Sequence, residues 1–134
     1  MPTPPARRFF SDGESIWYVE TLWSVAASLP EFALPIESIP GLDEVAWFND
    51  AWGKRPTCRA VFDHCRRIHE ADLSHPIILA PQGGPLKGCV LDGMHRIGKA
   101  MLAGHTTVRA VQLPAMPEPD ERVASAQPGV AQTP

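Results

Sequence analysis

The chain has 134 residues, of which 44% are hydrophobic, and a net charge of -3 from 12 Lys and Arg against 15 Asp and Glu. This length suits a single domain with one hydrophobic core, and no apolar run reaches the ~20 residues that a membrane span needs. The acidic balance argues against a protein that binds nucleic acid mainly by neutralising phosphates.

Both ends of the chain are rich in proline and poor in large apolar side chains. Such segments cannot bury enough surface to offset the entropy that ordering costs. We therefore expect a flexible N-terminus over residues 1–12, a folded domain over residues 13–113 and a disordered Pro-rich tail over residues 114–134. The N-terminus lacks the apolar stretch of a secretory signal, and the three cysteines form no even framework, so we expect a cytoplasmic protein with reduced thiols.

Helical periodicity marks the start of the folded region. Ser11 and Glu14 have the spacing of a capping box, which places a helix start here. Apolar residues then recur at helical spacing and predict a helix over residues 14–28. Residues 32–36 alternate and predict a strand, which Pro35 confines to a sheet edge or a bulge.

A second helix, three strands and a third helix follow an irregular segment. Pro56 is a start signal for a helix over residues 57–71, whose apolar face would carry Val61, Phe62, Cys65 and Ile68. The runs "HPIILA", "CVLD" and "TTVRAVQL" predict strands. Between the last two lies a predicted helix over residues 94–103, with Gly104 as its C-cap. The order α-β-α-β-β-α-β predicts an α+β fold with a small mixed sheet.

The junction "VLDGMHRIGKAMLAG" places a glycine, a histidine and an arginine at the start of this last helix. Free backbone N–H groups and the positive end of the helix dipole favour an anion there, and Gly93 allows close approach. Arg96 can bind phosphate oxygens with two parallel bonds, and Lys99 adds a second cation on the same face. His95 can donate to phosphate or move a proton near neutral pH. The junction therefore predicts a phosphate-binding site.

Asp92 in this junction and two tryptophans in the irregular segment over residues 40–56 have more than one interpretation. Asp92 is either the N-cap of the helix, with the cations in solvent, or a water-mediated Mg²⁺ ligand beside the phosphates, and these roles are compatible. Trp47 and Trp52 either fill the core or stack on a base.

The helix over residues 57–71 offers two further groups to weigh. Cys65 and His69 lie one turn apart, but no further ligand follows with metal-site spacing, so a structural metal is not expected. Arg66 and Arg67 either extend the phosphate site or form a solvated face.

The segment "HPIIL…GCVLDGMHRIGKAMLAGHTTVRAVQL" resembles the ParB/sulfiredoxin-like superfamily, and the resemblance covers about residues 33–113. The ParB members carry Gly-Glu-Arg-Arg-x-Arg-Ala followed by a glycine. Matching positions of this chain are Gly93, Arg96, Ala100 and Gly104. The chain is similar to small stand-alone bacterial ParB-like proteins that carry Asp-Gly-Met-His-Arg.

The resemblance implies a nucleoside triphosphate at this helix start, usually with Mg²⁺. The nucleotide is CTP in ParB, and an adenine nucleotide in sulfiredoxin and in a free-serine kinase of similar fold. The phosphates would be held by Gly93, Met94, His95 and Arg96. Glu37 matches the region where that kinase keeps an acidic catalytic residue.

Departures from the family pattern limit what is carried over. Met94 stands where sulfiredoxin needs a cysteine, so sulfinic acid repair is not expected. Met94 and His95 also replace the Glu and Arg of ParB, which puts CTP hydrolysis in doubt. No helix-turn-helix pattern follows residue 113, so specific DNA recognition is not expected either.

The leading expectation is a nucleotide-binding domain that acts as an NTPase or a small-molecule phosphotransferase. It would use ATP or CTP with Mg²⁺ and a small hydroxylated acceptor, with His95 and Glu37 as candidate catalytic residues and Asp92 as candidate metal ligand. The alternative is a non-enzymatic module that senses a nucleotide or binds a protein, and a nuclease or DNA-binding protein ranks third. A homodimer is left open, and no membrane partner is expected.

Overall fold

The computed structural model describes residues 8–123, apart from the side chain of Trp52, as an α+β fold with three α-helices and two small sheets, which confirms the predicted fold class. The strands are β1 (Phe9–Ser11), β2 (Ser15–Tyr18), β3 (Phe32–Pro35), β4 (Ile77–Leu79), β5 (Val90–Asp92), β6 (Thr107–Gln112) and β7 (Glu121–Arg122). The helices are α1 (Val19–Ala26), α2 (Cys58–Glu70) and α3 (Met94–Leu102), with single helical turns at Ile36–Ser38 and Asp50–Trp52. No helix in the described part of the chain is long and apolar enough to cross a membrane.

The four-stranded sheet carries the core and places the start of α3. Its order is β3-β6-β4-β5, with β4 parallel to β6 and the other pairs antiparallel. Successive residues of β4 point to opposite faces, so Ile78 packs in a cluster with α1, whereas Ile77 and Leu79 pack in a second cluster with α3. The predicted strand around residues 32–36 is confirmed as edge strand β3, where Pro35 costs no interior ladder bond.

The predicted helices over residues 57–71 and 94–103 are confirmed as α2 and α3. Thr57 caps α2 by accepting a hydrogen bond from the backbone N–H of Ala60 at 3.2 Å. Gly104 follows α3 with a φ of +82°, the left-handed conformation expected of a residue that ends a helix. Pro56 and Thr57 mark the start of α2, and Gly93 and Gly104 flank α3.

The predicted helix over residues 14–28 is wrong in its first third. Residues 15–18 form β2, which pairs with β1 and β7, and α1 begins only at Val19. Asp12 makes the hairpin turn, since its carboxylate accepts from the backbone N–H groups of Glu14 and Ser15 at 2.9 and 2.8 Å. Strand pairing on both edges of β2 therefore overrides the helical spacing of the apolar residues.

The three-stranded sheet extends beyond the predicted domain boundaries of residues 13–113. It has the order β1-β2-β7, so it includes one strand before residue 13 and one after residue 113. The indole Nε1 of Trp17 donates to the carbonyl of Pro117 at 2.8 Å, and Asp120 accepts from Tyr18 N and Thr21 Oγ1 at 2.8 and 2.9 Å. Part of each predicted flexible end is thus ordered; residues 1–7 and 124–134 lie outside the described residues, and disorder there stays a prediction.

The apolar face predicted for α2 is largely exposed. Val61 and Cys65 lie at the surface, and the side chain of Phe62 is 68% exposed. Only Ile68 of this set is half-buried, where α2 packs on α3: a Cβ added to Gly98 would lie 3.3 Å from Ile68 Cδ1. Helix α2 is therefore a peripheral helix held against α3 by its C-terminal half.

Candidate functional site

The turn between β5 and α3 requires glycine for a structural reason. Gly93 is the N-cap of α3 with a φ of +115°, a conformation that side chains rarely adopt. A Cβ at this position would lie 2.6 Å from Ile77 Cγ2 and 3.1 Å from Ile77 Cα. Close packing against β4, rather than close approach of a ligand, therefore explains this glycine.

Asp92 is a buried anchor for two arginines. Its carboxylate accepts from Arg8 at 2.8 Å through one oxygen, and from Arg96 at 3.1 Å and the indole of Trp23 at 2.8 Å through the other. The predicted N-cap role is absent, because the N-cap is Gly93 and α3 has no side-chain cap. Both oxygens are occupied by donors, so Asp92 does not fit the metal-ligand role predicted for it, and no group of three His, Cys, Asp or Glu residues within residues 8–123 could hold a metal.

A cavity of about 860 Å³ opens at the start of α3. Three separate segments bring four arginines to it: the residue before β1, helix α2 and helix α3 supply Arg8, Arg66, Arg67 and Arg96. We call it the arginine cavity. Gly93, His95 and the half-exposed indole of Trp23 also line it.

All four arginines are held by acidic or carbonyl partners, Arg8 by Asp92 and Arg66 by Asp63 and Glu70. Arg96 donates to the carbonyl of Pro76 at 2.7 Å as well as to Asp92, and its side chain is 10% exposed. Arg67 pairs with Asp63 at 3.1 Å through partly exposed side chains. Because exposed pairs are worth little, Arg67 can exchange this partner for a ligand at small cost.

His95 lies in the wall of the arginine cavity and is paired with a second imidazole. His95 Nε2 is 2.8 Å from His64 Nδ1 on α2, and the indole of Trp47 stacks on both rings at centroid distances of 4.5 and 4.3 Å. Phe48 contacts His64 edge-on at 5.3 Å. The two imidazoles thus occupy one face of Trp47, the side chain of Trp52 lies outside what is described, and stacking of either on a base stays a prediction.

Both imidazoles of this pair are uncharged at neutral pH. Burial lowers the pKa of His95 to about 4, and the charge of Arg67, together with that of His64 once His64 is protonated in acid, acts in the same direction. Burial also lowers the pKa of His64, again with a contribution from Arg67. At pH 7 His95 is thus a neutral ring that can accept or donate one proton.

Stability should fall with acid because of His95. The unfolded chain takes up this proton near pH 6.5 and the folded chain only near 4, so the stabilisation is complete above pH 6.5 and is lost as the pH falls to about 4. The expected loss is on the order of 3 kcal/mol. Urea unfolding between pH 4 and 7.5 measures it.

The control for this pH dependence is a pair of variants. The slope of the unfolding free energy against pH is proportional to the number of protons taken up on unfolding. In His95→Phe this number should fall by about one. His105→Gln, at an exposed position beyond the other end of α3, should keep the slope of the wild type. An unchanged slope in His95→Phe would show that another group causes the acid sensitivity.

Three residues predicted to belong to the site lie elsewhere. Lys99 donates to the carbonyls of His69 and Ala71 at 2.8 and 2.7 Å, so it caps the C-terminal end of α2 instead of holding phosphate. Met94 lines a separate apolar groove and not the arginine cavity, so only its backbone N–H, in the first turn of α3, remains available to a phosphate. Glu37 is exposed beyond β3, and two strands, or about 14 Å, separate β3 from β5.

Sequence reasoning missed residues that reach the site from a distance. Arg8 and Trp23 belong to the N-terminal segment and α1, and both bind Asp92 across more than sixty positions of sequence. His64 on α2 is the partner of His95, a pairing that was not predicted from the sequence. The lone signal that could have indicated His64 is its place on a helix next to Arg66 and Arg67.

The comparisons with known proteins add no relative. No family model matches the chain, and no curated protein and no solved structure matches it.

Proposed function

We propose that the protein binds a nucleotide in the arginine cavity and acts on its phosphates as an NTPase or a small-molecule phosphotransferase. The observation that carries this is the convergence of four arginines, from three segments, on the start of α3. A cavity of about 860 Å³ is in the size range of small-ligand sites. The resemblance to the ParB/sulfiredoxin-like superfamily, which stays a proposal, leads to the same ligand class.

The cavity has a distinct group for each part of a nucleotide. Backbone N–H groups of the first turn of α3 and the side chain of Arg67 would hold phosphate oxygens. The indole of Trp23 is 45% exposed and is fixed by its bond to Asp92, so it offers a flat face for a base. Both oxygens of Asp92 are occupied, so Mg²⁺ would be held by the phosphates and not by Asp92, with Glu31, Glu70 and Asp72 as the other carboxylates that line the cavity.

His95 favours turnover over simple sensing. Its neutral ring lies in the cavity wall beside the helix start, where it can contact an attacking hydroxyl or water, and its low pKa makes it a weak base unless the proton is passed on. If no turnover occurs, the same site is a nucleotide sensor. Release of phosphate therefore separates the two functions.

Arg67→Ala should weaken nucleotide binding by about 10-fold, because one charge-assisted hydrogen bond is lost. Titration calorimetry with ATP, CTP and GTP, each with and without Mg²⁺, measures this effect. Arg59→Ala is the matched control, because this substitution removes the same charge. Arg59 also lies on α2 but does not line the cavity. Arg96→Ala is less informative, since it also removes a buried partner of Asp92.

Two outcomes would contradict the proposal. One is that none of the three nucleotides binds the wild type. The other is that Arg59→Ala weakens nucleotide binding as much as Arg67→Ala, which would show that the effect comes from the net charge of the protein and not from a contact in the cavity. Phosphate release, assayed on the same samples, then decides between enzyme and sensor.

A further inference from the structure

The two imidazoles form a flat, edge-to-edge pair under one aromatic cover. Their planes are inclined by 13°, their centroids are 5.1 Å apart, and His64 Nδ1 lies 2.8 Å from His95 Nε2. The indole of Trp47 is within 9° of parallel to both rings. This cover restrains both rings in one plane, which is the orientation that an N–H···N bond between them needs.

The two histidines of the pair line two different spaces. His95 lines the arginine cavity, whereas His64 lines a separate pocket of about 380 Å³ that also contains Lys54 and Thr57. Within residues 8–123, Trp47 Nε1 is the only buried polar side-chain atom without a partner. His95 Nδ1 and His64 Nε2, which have no protein partner there, are therefore accessible to solvent or ligand.

The bond between the rings couples their tautomers. If His64 Nδ1 donates, His95 Nε2 accepts and the proton of His95 is on Nδ1; if His95 Nε2 donates, the proton of His64 is on Nε2. Both neutral rings thus carry their proton on Nδ1, or both carry it on Nε2. A group that binds His95 Nδ1 in the cavity therefore selects the tautomer of His64 as well.

We propose that His64 is a positioning residue for His95, and that the pair relays one proton between the arginine cavity and the pocket at His64. A hydroxyl in the cavity gives its proton to His95 Nδ1, His95 gives its Nε2 proton to His64 Nδ1, and His64 gives its Nε2 proton to water. One proton enters and one leaves, and both rings stay neutral. The proposal rests on the proposed function for what occupies the cavity, whereas the coupling of the rings does not.

The charges that face the pair come from each neighbouring element. Arg8 approaches from the segment before β1, Lys54 from the loop before α2, and Asp63 and Arg67 from α2 itself. Positive groups predominate in this set, and they oppose a second positive charge on the pair. The relay therefore passes a proton without accumulating an imidazolium at neutral pH.

The first test measures the rings without ligand, by long-range ¹H–¹⁵N spectra of the full chain at pH 7.5. We expect the same tautomer in both rings and a scalar coupling across the hydrogen bond from His64 Nδ1 to His95 Nε2. His64→Leu should change the tautomer ratio of His95 by about 2- to 10-fold, the equilibrium factor of one net hydrogen bond. His64→Asn, whose amide can occupy the place of Nδ1, should preserve this ratio. Opposite tautomers in the wild type, or no change in His64→Leu, would overturn the proposal.

The second test adds pyrophosphate as the probe of the cavity. We expect the backbone amides at the start of α3 to shift, and both His95 and His64 to move towards the Nδ1-protonated tautomer. If His95 responds and His64 does not, the relay is overturned while phosphate binding stands. If no resonance responds although the rings are coupled, the proposed phosphate site fails and the positioning role of His64 is supported.

Discussion

Gly93→Ala is expected to lower the free energy of unfolding by about 2–5 kcal/mol. The left-handed backbone at φ +115° strains any Cβ, which contributes about 1–2 kcal/mol. The new Cβ also meets Ile77 Cγ2 at 2.6 Å and Ile77 Cβ at 2.9 Å. These atoms belong to a branched, fully buried residue next to its backbone, so they cannot move away cheaply. Urea unfolding with the midpoint and slope fitted separately measures the change.

Gly84→Ala is the matched control for this prediction. Gly84 has a similar φ of +126°, but an added Cβ would meet nothing within 4 Å. The control therefore carries the backbone strain without the overlap, and the difference between the two variants isolates the packing of α3 against β4. Equal losses in both variants would show that Gly93 is required only for its backbone conformation.

The part of the fold that sequence could predict is the part where local signals and tertiary structure agree. Helix α3 has a glycine before it, a glycine after it and a strand ending at its start, and these local features determine both ends. Residues 15–18 show the opposite case. Their apolar spacing suits a helix, but pairing with β1 and β7 makes them a strand. Because Glu121 of β7 is 103 positions away from Tyr18, this pairing is not visible in the local sequence.

The candidate site was predictable only as far as it is local. The glycine, histidine and arginine of the motif do lie at a cavity, as the helix start suggested. The partners that define their roles come from elsewhere: Arg8 through Asp92, and His64 through His95. Lys99 shows why helical spacing alone misleads, since the C-terminal carbonyls of α2 bind its ammonium group before any ligand could.

Asp92→Asn is expected to lower the free energy of unfolding by about 3–5 kcal/mol, the range for breaking a buried ion pair at one partner. The substitution keeps the shape of the side chain and removes its charge. Arg96, whose side chain is 10% exposed, then stays buried with neutral acceptors alone, the Pro76 carbonyl and the amide oxygen of the new Asn, for which Arg8 and Trp23 also compete. Arg8 is half exposed and returns to water, so most of the loss arises at Arg96.

A double-mutant cycle tests this assignment. Adding Arg96→Met to Asp92→Asn should recover part of the stability, because removing both charges leaves no unpaired charge in the core. Asp50→Asn is the control, since its pair with Arg55 has a similar distance of 3.1 Å but side chains that are 74% exposed, and about 0–1 kcal/mol is expected. If Asp92→Asn costs no more than Asp50→Asn, the buried pair is not an anchor of the site.

The same variant separates an anchor from a metal ligand. An anchor acts through Arg8, Arg96 and Trp23, so Asp92→Asn should destabilise the fold while the effect of Mg²⁺ on nucleotide affinity stays that of the wild type. If Asp92 were a metal ligand, the opposite would hold. In Asp92→Asn, nucleotide affinity would then depend less on Mg²⁺, and the free energy of unfolding would change less. Calorimetric titration with and without Mg²⁺, on samples shown to be folded, distinguishes the two. The geometry favours the anchor, because donors already occupy both carboxylate oxygens and a cation would have to displace a buried guanidinium.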